Sequence, residues 1–330
     1  MAFVVRARLR PLSPLLFALA IATSQHPGRA DAKYPDRPVR FVLPFVAGGV
    51  ADVTARVVAE KLSEKLGQRF YVENQAGAGG IVAERIVASS PPHGYTLALL
   101  SNGTAVSVSL FKTLPYDPRK DFVPISSLGL FDFIFATVEN SPFKTLSEFI
   151  ATAKAKPGSL NVGTINVGST QNLSAEWFKT AAGVDFAIIP YRGTPEILVG
   201  LLQGDVVLAI DSYSAMKVNL AEGKLRVLAS SGAARSEATP ELATVRESGV
   251  GDYDVVSWNA LFAPAGTPPA IVNALNAVLR EILADRDLKG RLIELGIEAK
   301  AGTPQEIYDR LRSDIDKWRV VIDRAGIERQ

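Results

Sequence analysis

The chain has 330 residues, with 36 Lys and Arg against 34 Asp and Glu, two His, no Cys and a formal net charge of +2. Without cysteine it holds no disulfide, no thiolate metal site and no lipid-modified N-terminus, and two histidines are a poor basis for a zinc or copper centre. Lys and Arg form no cluster of the kind that grips phosphates, which argues against a nucleic-acid partner.

The first residues read as an export leader. Arg6, Arg8 and Arg10 make a charged start, residues 12–23 are mostly apolar, and Ala30-Asp31-Ala32 supplies the small-x-small pattern of a cleavage site. The apolar run is roughly 12 residues, short of the ~20 that span a bilayer. Four arginines against one aspartate lie in this leader, so the remaining chain carries a net charge near −1. A cleaved, freely diffusing periplasmic protein is expected.

Residues 39–45 form a short apolar run, read as a buried strand that Gly48-Gly49 breaks. Val58, Leu62 and Leu66 then recur at four-residue spacing beside Ala51, Ala55 and Ala59, and Gly67 follows, which predicts an amphipathic helix with its stop. Strands are expected over 70–74 and 96–101 with a short helix over 81–89 between them. The β-α-β-α-β order predicts a parallel sheet with helices on both faces. Further on, Thr145-x-x-Glu148 is a capping box, and Pro157-Gly158 ends the helix it opens. Strands follow over 160–164, 187–191, 206–211 and 225–230. Helices are expected over 170–182, stopped by Gly183, and from Thr194 as N-cap with Pro195 at the first helical position as far as Gln203, with Gly204 just beyond. Residues 269–284 carry Ile271, Val272, Leu275, Val278, Leu279 and Ile282 on one helical face. Thr303-Pro304-Gln305-Glu306 opens a last helix reaching about residue 324, expected to pack back on the first domain. Residues 128–138 and 255–263 are strand-like and placed to cross between two lobes.

Catalytic patterns are weak. His93, in the turn Pro91-Pro92-His93-Gly94, would have to serve any Ser-His-Asp triad alone, and no Gly-x-Ser-x-Gly elbow supports one. Gly77-Ala78-Gly79-Gly80-Ile81-Val82 ends in Val82 where a dinucleotide fingerprint needs Gly or Ala, and no Lys-Ser or Lys-Thr pair makes a phosphate loop. It reads as a turn before a helix. The dispersed carboxylates show no glycosidase-like pair, although sequence alone leaves one open. Binding without chemistry, with no metal and no cofactor, is the expectation.

The informative constellation is a set of strand-to-helix loops rich in Gly, Ser, Thr and Asn. They run over 44–52, 101–104 (Ser101-Asn102-Gly103-Thr104), 163–170 and 191–194 (Tyr191-Arg192-Gly193-Thr194). Glycines allow close backbone approach, and free N–H groups at a helix start together with its dipole favour an anion. In an open α/β sheet such loops gather at the carboxyl ends of the strands. Any one of them also reads as an ordinary turn, and Asp52 reads equally as an early helix acid or as a ligand contact. The candidate ligand-binding residues are Phe45, Ala47, Gly48, Gly49, Asp52, Ile81, Asn102, Gly103, Thr164, Gly168, Ser169, Thr170, Tyr191, Gly193 and Asp211.

Several ordered motifs then carry a resemblance. Tyr34-Pro35-x-Arg37-Pro38-Val39-Arg40, Pro44-Phe45-x-x-Gly48-Gly49-x-x-Asp52 and Val72-Glu73-Asn74-x-x-Gly77-Ala78-Gly79-Gly80 come first. Gly94-Tyr95-Thr96-Leu97, Leu114-Pro115-Tyr116-Asp117-Pro118, Pro190-Tyr191-Arg192-Gly193 and Phe262-Ala263-Pro264-x-Gly266-Thr267-Pro268 follow. Over essentially the whole chain after the leader, this resembles the Bug family of periplasmic receptors of tripartite tricarboxylate transporters.

The resemblance implies an α/β, type II periplasmic-binding-protein fold: two lobes with mixed sheets flanked by helices, joined by two crossing strands. It implies a discontinuous domain 1 (33–132 and 259–330) and a domain 2 (133–258). It also implies a monomer that captures a small carboxylate, held mainly by backbone groups and water at the 44–52 and 163–170 loops, for inner-membrane transporter subunits. A periplasmic sensor feeding a signalling receptor, or an enzyme on the same scaffold, are the other readings. The chain departs from the family pattern at Ala47, Ile81, Val82, Ala83, Gln171, Asn172 and Ser212. Ile81 puts an apolar group where a polar one is usual, so a ligand with an apolar, aromatic or branched end is expected. Ile81→Asn should then alter the affinity order across a carboxylate panel.

Overall fold

Ten strands and ten α-helices occupy the residues that the computed structural model describes, 1–3 and 34–330; of the leader read over 1–32, residues 4–32 lie outside them. β1 (Val39–Leu43), α1 (Val50–Leu66), β2 (Phe70–Asn74), α2 (Ile81–Ala88) and β3 (Thr96–Ser101) follow the predicted order. β1 pairs in parallel with both β2 and β3. Four of its five residues are buried, the near-continuous burial of a parallel strand covered on both faces. Gly67 ends α1 in the left-handed region at φ 69°, its N–H donating to the Ser63 carbonyl. Helix α3 (Asn102–Leu110) follows β3 directly.

β4 (Phe122–Val138) is the long element of the molecule. Its first part, as far as Asp132 opposite Val256, pairs antiparallel with β9 (Val256–Pro264). From Phe133 onward it pairs with β7 (Leu208–Ser212) and β8 (Leu225–Ser230). Ser231 laces this change of partner: its N–H donates to the Phe133 carbonyl at 2.9 Å, and its hydroxyl accepts from the Phe133 N–H at 2.8 Å. β9 enters at the same place, since the Val255 N–H donates to the Ser231 carbonyl at 2.9 Å.

Beyond β4, β5 (Asn161–Ile165) pairs in parallel with β6 (Ala187–Tyr191) and β7. Strand order is therefore β2-β1-β3-β9-β4-β7-β5-β6, with β8 and the two-residue β10 (Glu298–Ala299) also on β4. α4 (Leu146–Ala155) opens on the predicted capping box, both halves formed by Thr145 and Glu148. α5 (Thr170–Ala182) and α6 (Thr194–Gln203) end at Gly183 and Gly204 as predicted. α7 (Tyr213–Ala221), α8 (Pro269–Ala284), α9 (Arg286–Ile293) and α10 (Pro304–Ala325) complete the chain.

Apolar burial is the main stabilising term. Phe135, Phe149, Phe178, Phe186 and Tyr253 interlock edge-to-face or tilted, with ring centroids 5.0 to 6.3 Å apart. Each fully buried phenylalanine contributes roughly 3 kcal/mol before entropy is set against it. The C-terminal α10 buries Ile307, Leu311, Ile315, Trp318 and Ile322, spaced three or four residues apart, and packs on α3, β4 and α5. No helix among the described residues is long and apolar enough to cross a membrane.

Candidate functional site

The carboxyl ends of β1, β3, β5, β6 and β7 open on one cavity of about 840 Å³, whose wall is continued by Phe131, Phe133, Ser257 and Asn259 where β4 changes partner. Six helix starts reach its lining: Gly49 and Val50 of α1, Gly80 of α2, Gly103 and Thr104 of α3, Thr170 and Gln171 of α5, Gly193 and Thr194 of α6, and Ser212 and Ser214 of α7. Among the described residues that line it, none is Lys, Arg or His. Positive potential in the cavity therefore comes from backbone N–H groups and helix dipoles.

The caps sharpen this. α1, α2, α6 and α7 have no side-chain hydrogen bond at their N-caps, Gly49, Gly80, Gly193 and Ser212. Of the other helices, α3 and α5 at the cavity are capped by Ser101 and Ser169; away from it α4, α9 and α10 are capped by Thr145, Asp285 and Thr303, and α8 has no side-chain cap. Glycine at an N-cap leaves the first-turn donors free for an external acceptor.

The 44–52 loop is set from below by Asp52. Its carboxylate accepts from the Gly48 N–H, the Arg56 Nε and the Asn74 amide, each at 2.9 Å. Asn74 also donates to the Phe45 carbonyl at 3.0 Å. Burial raises the Asp52 pKa, but these donors and the Arg56 charge outweigh it and hold the carboxyl below the usual range. On the opposite wall, the Ser169 hydroxyl accepts from the Asn172 N–H at 3.1 Å, and Asn172 Oδ1 accepts from the Gly168 N–H at 3.1 Å. Gly168 has φ 78°, and a Cβ there would fall 2.5 Å from Leu110, so the close approach requires glycine.

Two buried carboxylates line the cavity. Asp211 accepts from Gln171 Nε2 (3.0 Å), the Ser212 N–H (2.7 Å) and the Thr194 hydroxyl (2.5 Å). Burial pushes its pKa up, and those three bonds oppose the shift. Glu84, in the first turn of α2, accepts from the Thr104 hydroxyl at 2.7 Å on one oxygen, while the other has no partner. Burial raises it to about 7, only partly offset by the approach of Thr104 and Tyr116.

Of the candidates read from sequence, Phe45, Gly48, Gly49, Gly103, Gly168, Ser169, Thr170, Gly193 and Asp211 lie together in the lining. Six lie outside it. Ala47 is exposed, and Asp52 turns into the loop support. Asn102 accepts from Trp318 Nε1 at 2.8 Å, and Thr164 is buried beside Asn172. Tyr191 presses its ring on Gly200, where a Cβ would meet the hydroxyl at 2.3 Å. Ile81 packs against the core, so the apolar character expected from it comes instead from Phe45, Phe111, Phe131 and Phe133. Sequence reading also missed Glu84, Ser257 and Asn259, which sit in stretches patterned as core.

A family model described as the tripartite tricarboxylate transporter family receptor matches residues 54–327. The chain belongs to this receptor family. The curated relative BugT of Bordetella pertussis is 33% identical over 319 residues, covering 96% of this chain and 98% of its own. Among solved structures, R. palustris Rpa4515 with adipate has a TM-score of 0.80 at 35% identity, covering 89% of this chain and 99% of its own. MatC from Rhodopseudomonas palustris with bound malate has a TM-score of 0.75 at 33% identity, covering 88% and 100%. The periplasmic binding protein BugD has a TM-score of 0.77 at 30% identity, covering 90% and 100%. The receptor thus has the two-lobed type II periplasmic-binding-protein fold, and its motif-based assignment to the Bug family stands. Its family role is solute binding.

Proposed function

We propose that this receptor captures a small carboxylate in the cavity and presents it, in the periplasm, to inner-membrane transporter subunits. The observation that carries this reading is the convergence of six helix starts, four without side-chain caps, on a cavity lined by no basic side chain among the described residues. Such a site suits one carboxylate group, whose oxygens take the place of missing caps. The adipate and malate in the two R. palustris relatives support the same class. Phe45, Phe111, Phe131 and Phe133 favour an apolar or aromatic body for the rest of the molecule.

In this reading the lobes are 33–132 with 259–330, and 133–258. The exchange of β4 partners between Asp132 and Phe133 supports that division. Adipate, malate and benzoate, each tested in a thermal-shift assay, provide the check. A solute at about 100 times its Kd adds ~2.7 kcal/mol, on the order of 5 °C for a protein of this size. A flat response to all three would overturn the assignment of solute class.

A further inference from the structure

Glu84 is 1% exposed, yet it belongs to the cavity lining. Its Oε1 accepts from the Thr104 hydroxyl, and the same hydroxyl accepts from the Ser101 N–H at 3.3 Å to close the cap of α3. The Ser101 hydroxyl in turn accepts from the Gly103 N–H at 3.1 Å. A short chain of hydrogen bonds therefore joins this buried carboxyl to the helix start that faces the cavity, while Oε2 is left bare.

Among the described residues, nothing packed around it supplies a compensating cation. α2 packs on β1, β3, β9 and the 78–80 turn. β3, β9, that turn and α3 contain no charged residue; β1 has only Arg40, which pairs with Glu73 at 3.3 Å. Arg85, on α2 itself, is exposed. The titratable group facing Glu84 is Tyr116, whose buried hydroxyl approaches the carboxyl and offsets part of the effect of burial, and has no other partner among the described residues. Asp211, across the same cavity, differs in having three donors on its two oxygens. Donors stabilise an ionised carboxylate; a bare buried oxygen disfavours it.

We propose that Glu84 makes solute capture proton-linked: its neutral carboxyl, under the floor of an anion site, is the form that admits an anionic solute. This rests on the carboxylate reading above. An ionised Glu84 would place a second negative charge beneath the α3 start and oppose the incoming anion. Capture therefore takes up one proton from solvent onto Glu84 wherever that carboxyl was ionised beforehand. Its pKa, raised by burial to about 7, puts this coupling in the neutral range. Glu84 acts through Thr104 and the α3 cap, and is a positioning residue.

The test is isothermal titration of whichever of adipate, malate and benzoate stabilises the protein most. It is run from pH 6 to 8 in phosphate and in Tris, whose ionisation enthalpies differ widely. Above pH 7 affinity should fall by up to about tenfold per pH unit, and the heats in the two buffers should differ by the proton taken up. E84Q, a permanent mimic of the neutral form, should bind at pH 8 as the wild type does at pH 6, with equal heats in both buffers. Y116F, which keeps the carboxyl and removes its polar neighbour, should move the midpoint to higher pH and serves if E84Q fails to fold. Equal heats for the wild type, unaltered proton uptake in E84Q, or an unmoved midpoint in Y116F would overturn the proposal. Failure of all three probes to bind the wild type would instead strike the carboxylate reading itself, and this inference with it.

Discussion

Asp52 is enclosed with three donors on its two oxygens, from Gly48, Arg56 and Asn74. In the sequence it was visible as an acid near a helix start, and its two readings could not be separated, because the donors come from 4 and 22 residues away. Asp132 presents the reverse case. It is 8% exposed, one oxygen has no partner, and Gly232 lies so near that a Cβ there would be 2.7 Å from the carboxylate. Burial, with the charge of Asp254 adding to it, raises Asp132 to about 7. The sign follows from linkage: between about pH 4 and 7 the folded chain holds a proton that the unfolded chain has released. Stability therefore falls as pH rises through that window, at most ~1.4 kcal/mol per unit from this group, and levels off above it. Urea denaturation from pH 5 to 8 should show this slope, with Glu84 adding to it in the same sense. In D132N the slope should be shallower and the stability at pH 8 higher; an identical slope would contradict the assignment to Asp132. Neither Glu84 nor Asp132 was singled out in the sequence, since an acid inside an apolar pattern looks like any other until its neighbours in space are known.

Local signals located most elements. α5 begins at its Ser169 cap, and α5 and α6 end at Gly183 and Gly204, because caps and left-handed glycines are written in adjacent residues. α6 starts one residue earlier than an N-cap Thr194 would have it, with Gly193 at the N-cap and the Thr194 hydroxyl turned to Asp211. α3 was implied only by the 101–104 loop, without bounds, and α7 was not foreseen, although the starts of both line the cavity. Seven of the nine residues of α3 are buried, so it has no polar face and no helical period to read. α7 follows β7 with neither a glycine break nor a side-chain cap. α3 depends on a partner from the far end of the chain: α10 packs along it, and Trp318 Nε1 donates to Asn102 Oδ1 at 2.8 Å. The amide nitrogen of Asn102 has no partner among the described residues, so the bond from Trp318 is the one hydrogen bond that the side chain makes. W318F should leave a buried amide wholly unpaired and cost ~1–3 kcal/mol. The urea midpoint reports it directly, and a variant as stable as the wild type would contradict the dependence of α3 on α10.

At the scale of the molecule, topology turns dispersed loops into a site. Two parallel sets, β2-β1-β3 and β7-β5-β6, stand on either side of the antiparallel pair β9-β4, and β1 and β3 of the first and all three strands of the second open on the same cavity. The parallel sets followed from strand-helix alternation in sequence. Of the 17-residue β4 only 128–138 was read as a strand, because the bulges near Pro124–Ser126 and Ser127–Gly129 break the alternation in its first part. Phe131 and Phe133 lie inside the stretch that was read, but their place in the lining is set by the change of partner from β9 to β7, which no adjacent residue marks. The central claim is that backbone N–H groups at helix starts, with no basic side chain, hold the carboxylate. A crystal structure of the protein with the tightest-binding carboxylate of the panel tests it most directly. The expected result is a carboxylate group in the cavity with its oxygens hydrogen-bonded to backbone nitrogens at the starts of α1, α3, α5, α6 or α7. A carboxylate held by Lys or Arg, or seated outside the cavity, would contradict it.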